Sequence, residues 1–198
     1  DMLWTMNVLK RDEGQFEMFY TGLSQREKGH LQRIGKAVST DLMNWTKLEE
    51  PPYPLEPAWP HYESKTDNLR KWVSFRDPYY YKENGKEYLL MCARTNKGCM
   101  SRRGCVGVAR IEGEEAVLEK PLFTPYVYDD IECPCLVKIN ERYYLIGSIR
   151  EDVKVHYWFS DEFQGQYHAF VDNVLMPQGN YAARVTRDGD RLLLYSFY

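Results

Sequence analysis

Gly85-Lys-Glu-Tyr-Leu-Leu-Met-Cys-Ala-Arg94 is the stretch on which the fold turns: a turn residue followed by a short run of aromatic and aliphatic side chains. Three other segments have the same form: Gly14-Gln-Phe-Glu-Met-Phe-Tyr-Thr-Gly22, Asn140-Glu-Arg-Tyr-Tyr-Leu-Ile-Gly147 and Gly189-Asp-Arg-Leu-Leu-Leu-Tyr-Ser-Phe-Tyr198. Each reads as a strand leaving a hairpin. The strands entering the hairpins are Leu3 to Lys10, Asp77 to Tyr81, Cys133 to Ile139 and Tyr181 to Thr186. The opening residues stand at 14, 85, 140 and 189, so the units recur at intervals of 71, 55 and 49 residues. A repeat of that size in strand-rich sequence indicates the blades of a β-propeller.

A third strand and a turn into an outer strand follow the first hairpin, in Ile34-Gly-Lys-Ala-Val-Ser-Thr-Asp-Leu-Met-Asn-Trp45. Val106-Gly-Val-Ala-Arg-Ile111 and Val155-His-Tyr-Trp-Phe-Ser-Asp161 are weaker echoes of it, and together the pieces make four-stranded blades. Segments with a strong helical period are absent, which predicts an all-β chain. The expected blades cover about residues 1–50, 72–125 and 129–172, with a partial fourth over 178–198. Pro51 to Asn68, with five prolines among its first ten residues, is expected to link two blades. Propellers typically have about four to eight blades. The last strand ends at Tyr198 with no outer strand after it, and an open blade edge is a template for aggregation, so a longer protein is expected.

At 198 residues the chain has the length of one domain with a real core, and it holds no apolar run near the roughly 18 residues of a membrane span. A net charge of −3 argues against a nucleic-acid surface, which needs clustered Lys and Arg; the pair Arg102-Arg103 is too short to supply one. Cys92, Cys99, Cys105, Cys133 and Cys135 cannot all pair within one chain and lack zinc-site spacing, so neither a metal nor another cofactor is expected. Reduced thiols favour a cytoplasmic protein, and no signal peptide is visible.

The chemistry lies in two tripeptides. Arg76-Asp77-Pro78, within Phe75-Arg-Asp-Pro-Tyr79, and Glu132-Cys133-Pro134 each place a carboxylate at the start of an apolar, aromatic-rich run, and the two acids are 55 residues apart. Alone, such a tripeptide is a turn, because proline fixes its own φ and pushes the preceding residue toward extended geometry. At the starts of the first strands of successive blades, which line a propeller's axis and open on its funnel, they bring two acids together. Asp77 and Glu132 are expected at the same position of consecutive blades. In the first blade that position falls just before Leu3-Trp-Thr-Met6, where the acid is Asp1. Paired carboxylates are what glycosidic bond cleavage requires.

These motifs, with Met18-Phe-Tyr-Thr-Gly22 and the Ile34 to Trp45 segment, make the chain resemble the five-bladed β-propeller glycoside hydrolases of families 32, 43 and 68, the invertase, levansucrase and arabinanase group. The resemblance spans nearly the whole chain. It implies a transition-state-stabilising role for Asp77, the general acid role for Glu132, and the nucleophile or general base for Asp1. It also implies a furanoside or related oligosaccharide as substrate. Sucrose-type members carry the first acid in Trp-Met-Asn-Asp-Pro-Asn, whereas Trp4-Thr-Met-Asn7 has no acid after Asn7. Arg76 is expected to favour ionisation of a neighbouring acid, and Glu132, flanked by Ile131, Cys133 and Pro134, to be desolvated and protonated. Asp129 and Asp130 either raise the pKa of Glu132 by like-charge repulsion or are turn residues.

Trp4, Trp59 and Trp72 are either sugar-stacking platforms or fillers of blade interfaces. Arg94 is expected to hydrogen-bond sugar hydroxyls. His30, in the loop Ser24 to Gln32, is either a substrate contact or a solvated loop residue, and His156 and His168 have no partner at metal or triad spacing. Two other functions stand beside hydrolysis. A phosphorylase or transglycosylase would use the same scaffold, the former needing a cationic phosphate site for which Arg76, Arg102 and Arg103 are the basic residues. A carbohydrate-binding propeller would need no third acid.

Overall fold

Tyr88, Leu89, Leu90 and Met91 follow one another without a polar interruption, yet all four side chains are buried. Successive residues of a strand face opposite sides of the sheet, so an unbroken apolar strand needs cover on both faces. The computed structural model, which describes residues 1–12, 14–49, 53–64 and 70–198, provides that cover. Leu89 and Met91 join Phe19, Ile34, Tyr62 and Phe75 in one core, while Tyr88 and Leu90 join Leu136, Tyr143, Leu145 and Trp158 in the next.

The sheets are antiparallel and follow chain order. The first holds β1 (Met2–Lys10), β2 (Phe16–Leu23), β3 (Gln32–Ser39) and β4 (Thr46–Leu48). The second holds β5 (Phe75–Glu83), β6 (Lys86–Arg94), β7 (Gly104–Glu112) and β8 (Glu115–Leu118). In the third are β9 (Glu132–Ile139), β10 (Arg142–Ile149), β11 (Lys154–Ser160) and β12 (His168–Met176), and a two-stranded sheet of β13 (Tyr181–Asp188) and β14 (Arg191–Phe197) ends the chain. The strands β1, β5, β9 and β13 stand side by side. They are the inner strands of a five-bladed β-propeller, of which this chain supplies three whole blades and a hairpin. The all-β expectation holds: among the described residues the one helical element is a 3-10 turn at Met100–Arg102.

Each inner strand is irregular at the same place. Three steps along β5, from Arg76 to Tyr79, match two steps along β6, from Cys92 to Leu90. The same extra residue occurs between Leu3 and Met6, between Glu132 and Cys135, and between Tyr181 and Arg184. These are β-bulges, which bend a strand and re-aim its side chains. Pro78 and Pro134 lie in the bulges, where no ladder N–H is needed. Asp77, Cys133 and Ala182 take left-handed φ angles of 61, 48 and 53° there.

The register corrects one expectation. The residues entering the bulge are Leu3, Arg76, Glu132 and Tyr181, and those following are Trp4, Asp77, Cys133 and Ala182. Asp77 and Glu132 are therefore one residue out of phase, and in the first blade the equivalent positions hold Leu3 and Trp4, not an acid. The proline linker is also more than a spacer in its described part. Leu55 bridges to Ile34, and the Tyr62 hydroxyl donates to the Glu119 carbonyl at 2.8 Å and accepts from Val108 N–H at 3.0 Å. Pro51, Pro52 and residues 65–68, like Glu13 of the first hairpin turn, lie outside the described residues.

Gly104 opens β7 directly beneath the loop that carries the acids before β9. A Cβ there would stand 2.8 Å from the Asp130 Cα and from the Tyr128 carbonyl oxygen, both backbone atoms with no side-chain freedom to yield. Gly104→Ala is expected to destabilise the protein by about 1–3 kcal/mol, seen as a lower thermal midpoint; an unchanged midpoint would show that the loop is not held against β7.

Candidate active site

A cavity of about 980 Å³ opens where the inner strands begin, and its wall includes Trp4, Trp72, Arg76, Asp77 and Glu132. Strand polarity puts them together: the starts of β5 and β9, the β2–β3 loop and the end of β10 all fall on one face of the propeller.

Asp77 is 3% exposed, and both of its carboxylate oxygens are engaged. Oδ1 accepts from the Thr5 hydroxyl at 2.5 Å and Oδ2 from the Cys133 N–H at 2.9 Å. Its own N–H donates to Thr21 Oγ1 at 2.9 Å. The two neighbouring blades thus fix one side chain, the first through Thr5 and the third through Cys133. The bulge makes this possible, because a left-handed residue turns its side chain and N–H away from the ladder, and aspartate tolerates that region better than most residues.

Glu132 is more open, with 16% of its side chain exposed. Arg76 Nη2 donates to Oε1 at 2.7 Å and the Tyr181 hydroxyl to Oε2 at 2.7 Å. Arg76, Glu132 and Tyr181 are the equivalent residues of three successive blades, and the one-residue offset from Asp77 lets them meet in a row. The surroundings of Glu132 are therefore polar, unlike the apolar setting suggested by its chain neighbours Ile131, Cys133 and Pro134. Burial and the hydrogen bond to Glu132 hold the Tyr181 phenol well above its ordinary pKa, so it serves as a donor.

Arg76 also donates to Asp130 Oδ2 at 2.9 Å and to Gln32 Oε1 at 3.2 Å, and its Nε lies 3.6 Å from Asp77 Oδ2. Arg70 grips Asp130 from the other side, at 3.2 and 2.8 Å, with the Ser74 hydroxyl at 3.0 Å. Burial raises the pKa of Asp130, but the Arg76 and Arg70 charges outweigh it and bring it below 3.8, its ordinary value. Asp130 is thus a buried counter-ion rather than a turn residue. Asp129 pairs with Arg94 at 2.5 Å and Arg150 at 3.3 Å.

Two expected site residues are elsewhere. Arg94 is fully buried behind the cavity, donating to Glu63, to the Asp129 carboxylate and carbonyl, and to the Met100 carbonyl. It braces the acid loop and has no donor left for a sugar. Asp1 is exposed, accepts from the Gln25 N–H at 3.2 Å, and lines a separate cleft with Leu3 and Tyr20. Trp59 is exposed outside the cavity, and Arg70 stacks on Trp72 at 4.8 Å from the ring centre. Residues that sequence reasoning missed are Thr5, Thr21, Gln32, Arg70 and Tyr181. Of these, Tyr181 alone carried a signal, as the third member of the bulge-entering series. The cavity wall also contains Lys28, His30, Lys71 and Arg150, whereas Arg102 and Arg103 are absent from it. Among the described residues no cluster of three or more His, Cys, Asp or Glu side chains is arranged to hold a metal.

Solved structures share this arrangement of strands. A levansucrase variant from Bacillus subtilis superposes with a TM-score of 0.74 at 15% identity, covering 98% of this chain and 61% of that one. The chain shares their fold. A B. megaterium levansucrase variant gives 0.75 at 16% identity, with 98% and 60% covered, and a GH32 beta-fructofuranosidase from Bombyx mori gives 0.71 at 16%, with 98% and 42% covered. The chain therefore spans about three fifths of the levansucrases and less of the fructofuranosidase. No protein-family model matches the sequence, and no curated protein does so either.

Asp130→Asn is expected to cost about 3 kcal/mol at neutral pH, because it breaks a buried ion pair shared by two arginines. A depressed folded pKa stabilises above the unfolded value and loses that effect as pH falls through the folded one. Denaturant titrations should therefore show the gap between wild type and variant closing below pH of about 4. A gap that stays constant to lower pH would refute this role.

Proposed function

We propose that this chain forms the catalytic part of a glycoside hydrolase acting on a furanoside or related oligosaccharide. The observation that carries the reading is the convergence of Asp77 and Glu132 on one cavity, joined through Arg76 and the Cys133 amide. Glycosidic cleavage builds positive charge on the sugar ring and expels an alkoxide, so it needs a fixed negative charge and a group that exchanges protons. Asp77, buried with its two oxygens tied to the blades on either side, suits the fixed charge. Glu132, which reaches the cavity and meets solvent, suits the acid. Trp4 and Trp72 on the cavity wall offer flat apolar faces for a sugar ring. A levansucrase complexed with sucrose has the same fold, with a TM-score of 0.72, which supports a saccharide ligand.

A carbohydrate-binding propeller is the second reading, favoured by the position of Asp1 outside the cavity. Turnover of sucrose-type oligosaccharides and aryl furanosides separates the two. Glu132→Gln and Asp77→Asn should each lower turnover by about 10²–10⁴-fold with the circular dichroism spectrum unchanged. Undiminished turnover in Glu132→Gln would overturn its assignment as the acid, and binding without any turnover in the wild type would favour the binding module.

A further inference from the structure

Basic side chains outnumber acidic ones on the cavity wall, in a chain whose net charge is −3. Four Lys or Arg side chains border it, Lys28, Lys71, Arg76 and Arg150, against the two carboxylates Asp77 and Glu132. The charge of Arg76 is taken up by Glu132, Asp130 and Asp77, which leaves Lys28, Lys71 and Arg150 as the cations of the rim. Glu132 is engaged by Arg76 and Tyr181, and Asp77 by Thr5 and the Cys133 amide. Among the described residues no carboxylate pairs with Lys28 or Lys71. Arg150 shares its partner Asp129, 3.3 Å away, with the shorter pair to Arg94.

The three rim cations come from separate segments: the β2–β3 loop, the approach to β5 and the residue after β10. His30 lines the same cavity and has at least one ring N–H to donate. A cleft lined by one sign of charge focuses the field and raises the local concentration of ions of the opposite sign. A neutral oligosaccharide has no use for such a rim. A phosphate dianion does, because its three terminal oxygens offer an acceptor to each donor arriving from a different loop.

We propose that this cavity binds a phosphate group at Lys28, Lys71 and Arg150, beside a sugar ring lying over Asp77 and Glu132. The inference rests on the reading of the cavity as a carbohydrate site. The phosphate is either an ester on the sugar or free inorganic phosphate bound next to a neutral sugar, and both present the same chemistry to the rim.

Calorimetric titration at constant ionic strength tests it with three probes: fructose, fructose 6-phosphate and inorganic phosphate. At least one phosphate-bearing probe is expected to bind about tenfold or more tightly than fructose, the worth of a charge-assisted hydrogen bond. The double variant Lys28→Ala, Lys71→Ala should abolish that advantage, and Arg150→Ala should reduce it. Tight binding of inorganic phosphate alone supports the free anion, and binding confined to fructose 6-phosphate supports the ester. Equal affinity for fructose and both phosphate probes, or an advantage that survives the double variant, overturns the proposal. Cleavage of neutral furanosides with no phosphate preference would sink this inference and leave the hydrolase standing. Selective binding of fructose 6-phosphate without turnover of any glycoside would do the reverse.

Discussion

The buried guanidinium of Arg76 is the interaction on which the site depends. A charge taken out of water must be compensated on the spot, and here compensation comes from Gln32 on the first blade and from Asp130 and Glu132 at the start of the third. Through Glu132 the chain of contacts continues to Tyr181 on the fourth. One side chain therefore ties the inner ends of three sheets together at the point where the cavity opens, and its partner Glu132 adds the fourth. Arg94 and Arg70 act alongside it, one behind the acid loop and one beside it, so that three arginines hold Asp129 and Asp130 in place.

The repeated β-bulge sets the geometry of that interaction. Without it, Asp77 would alternate with Arg76 across the sheet and turn away from the cavity that Arg76 lines. With it, two adjacent residues of one strand both serve the same wall. Arg76 reaches sideways to its equivalent, Glu132, and Asp77 reaches across to the backbone of its own equivalent, Cys133. The resulting division of labour is physical: Asp77 is immobilised by hydrogen bonds from two neighbouring blades, and Glu132 remains in touch with solvent. A rigid charge and an accessible carboxyl are different tools, and the scaffold makes both from adjacent strands.

The hairpins were legible because their cause is local. A turn residue followed by an apolar run specifies a strand leaving a turn wherever it occurs, and four such units at blade-sized intervals imply the propeller. The acids at the head of β5 and β9 were legible as candidates for the same reason. Their phase was not, although Pro78 and Pro134 mark the equivalent position and show Asp77 aligned with Cys133. Arg94 looked like a sugar ligand because arginine is polar; its burial between Glu63 and Asp129 depends on residues 31 and 35 positions away along the chain. The rim cations Lys28, Lys71 and Arg150 were invisible as a group, since nothing in their spacing links a loop, a strand approach and a strand end.

The sequence alone therefore determined the all-β class, the hairpin repeat and the two acidic tripeptides, because each follows from the conformational preferences and periodicity of contiguous residues. Only the tertiary structure decided which neighbours those acids meet, that Asp1 and Arg94 stand apart from them, and that Lys28, Lys71 and Arg150 share one cavity wall with them. Those outcomes depend on how sheets separated by some fifty residues close around one axis, and contacts across that distance leave no local trace in the chain.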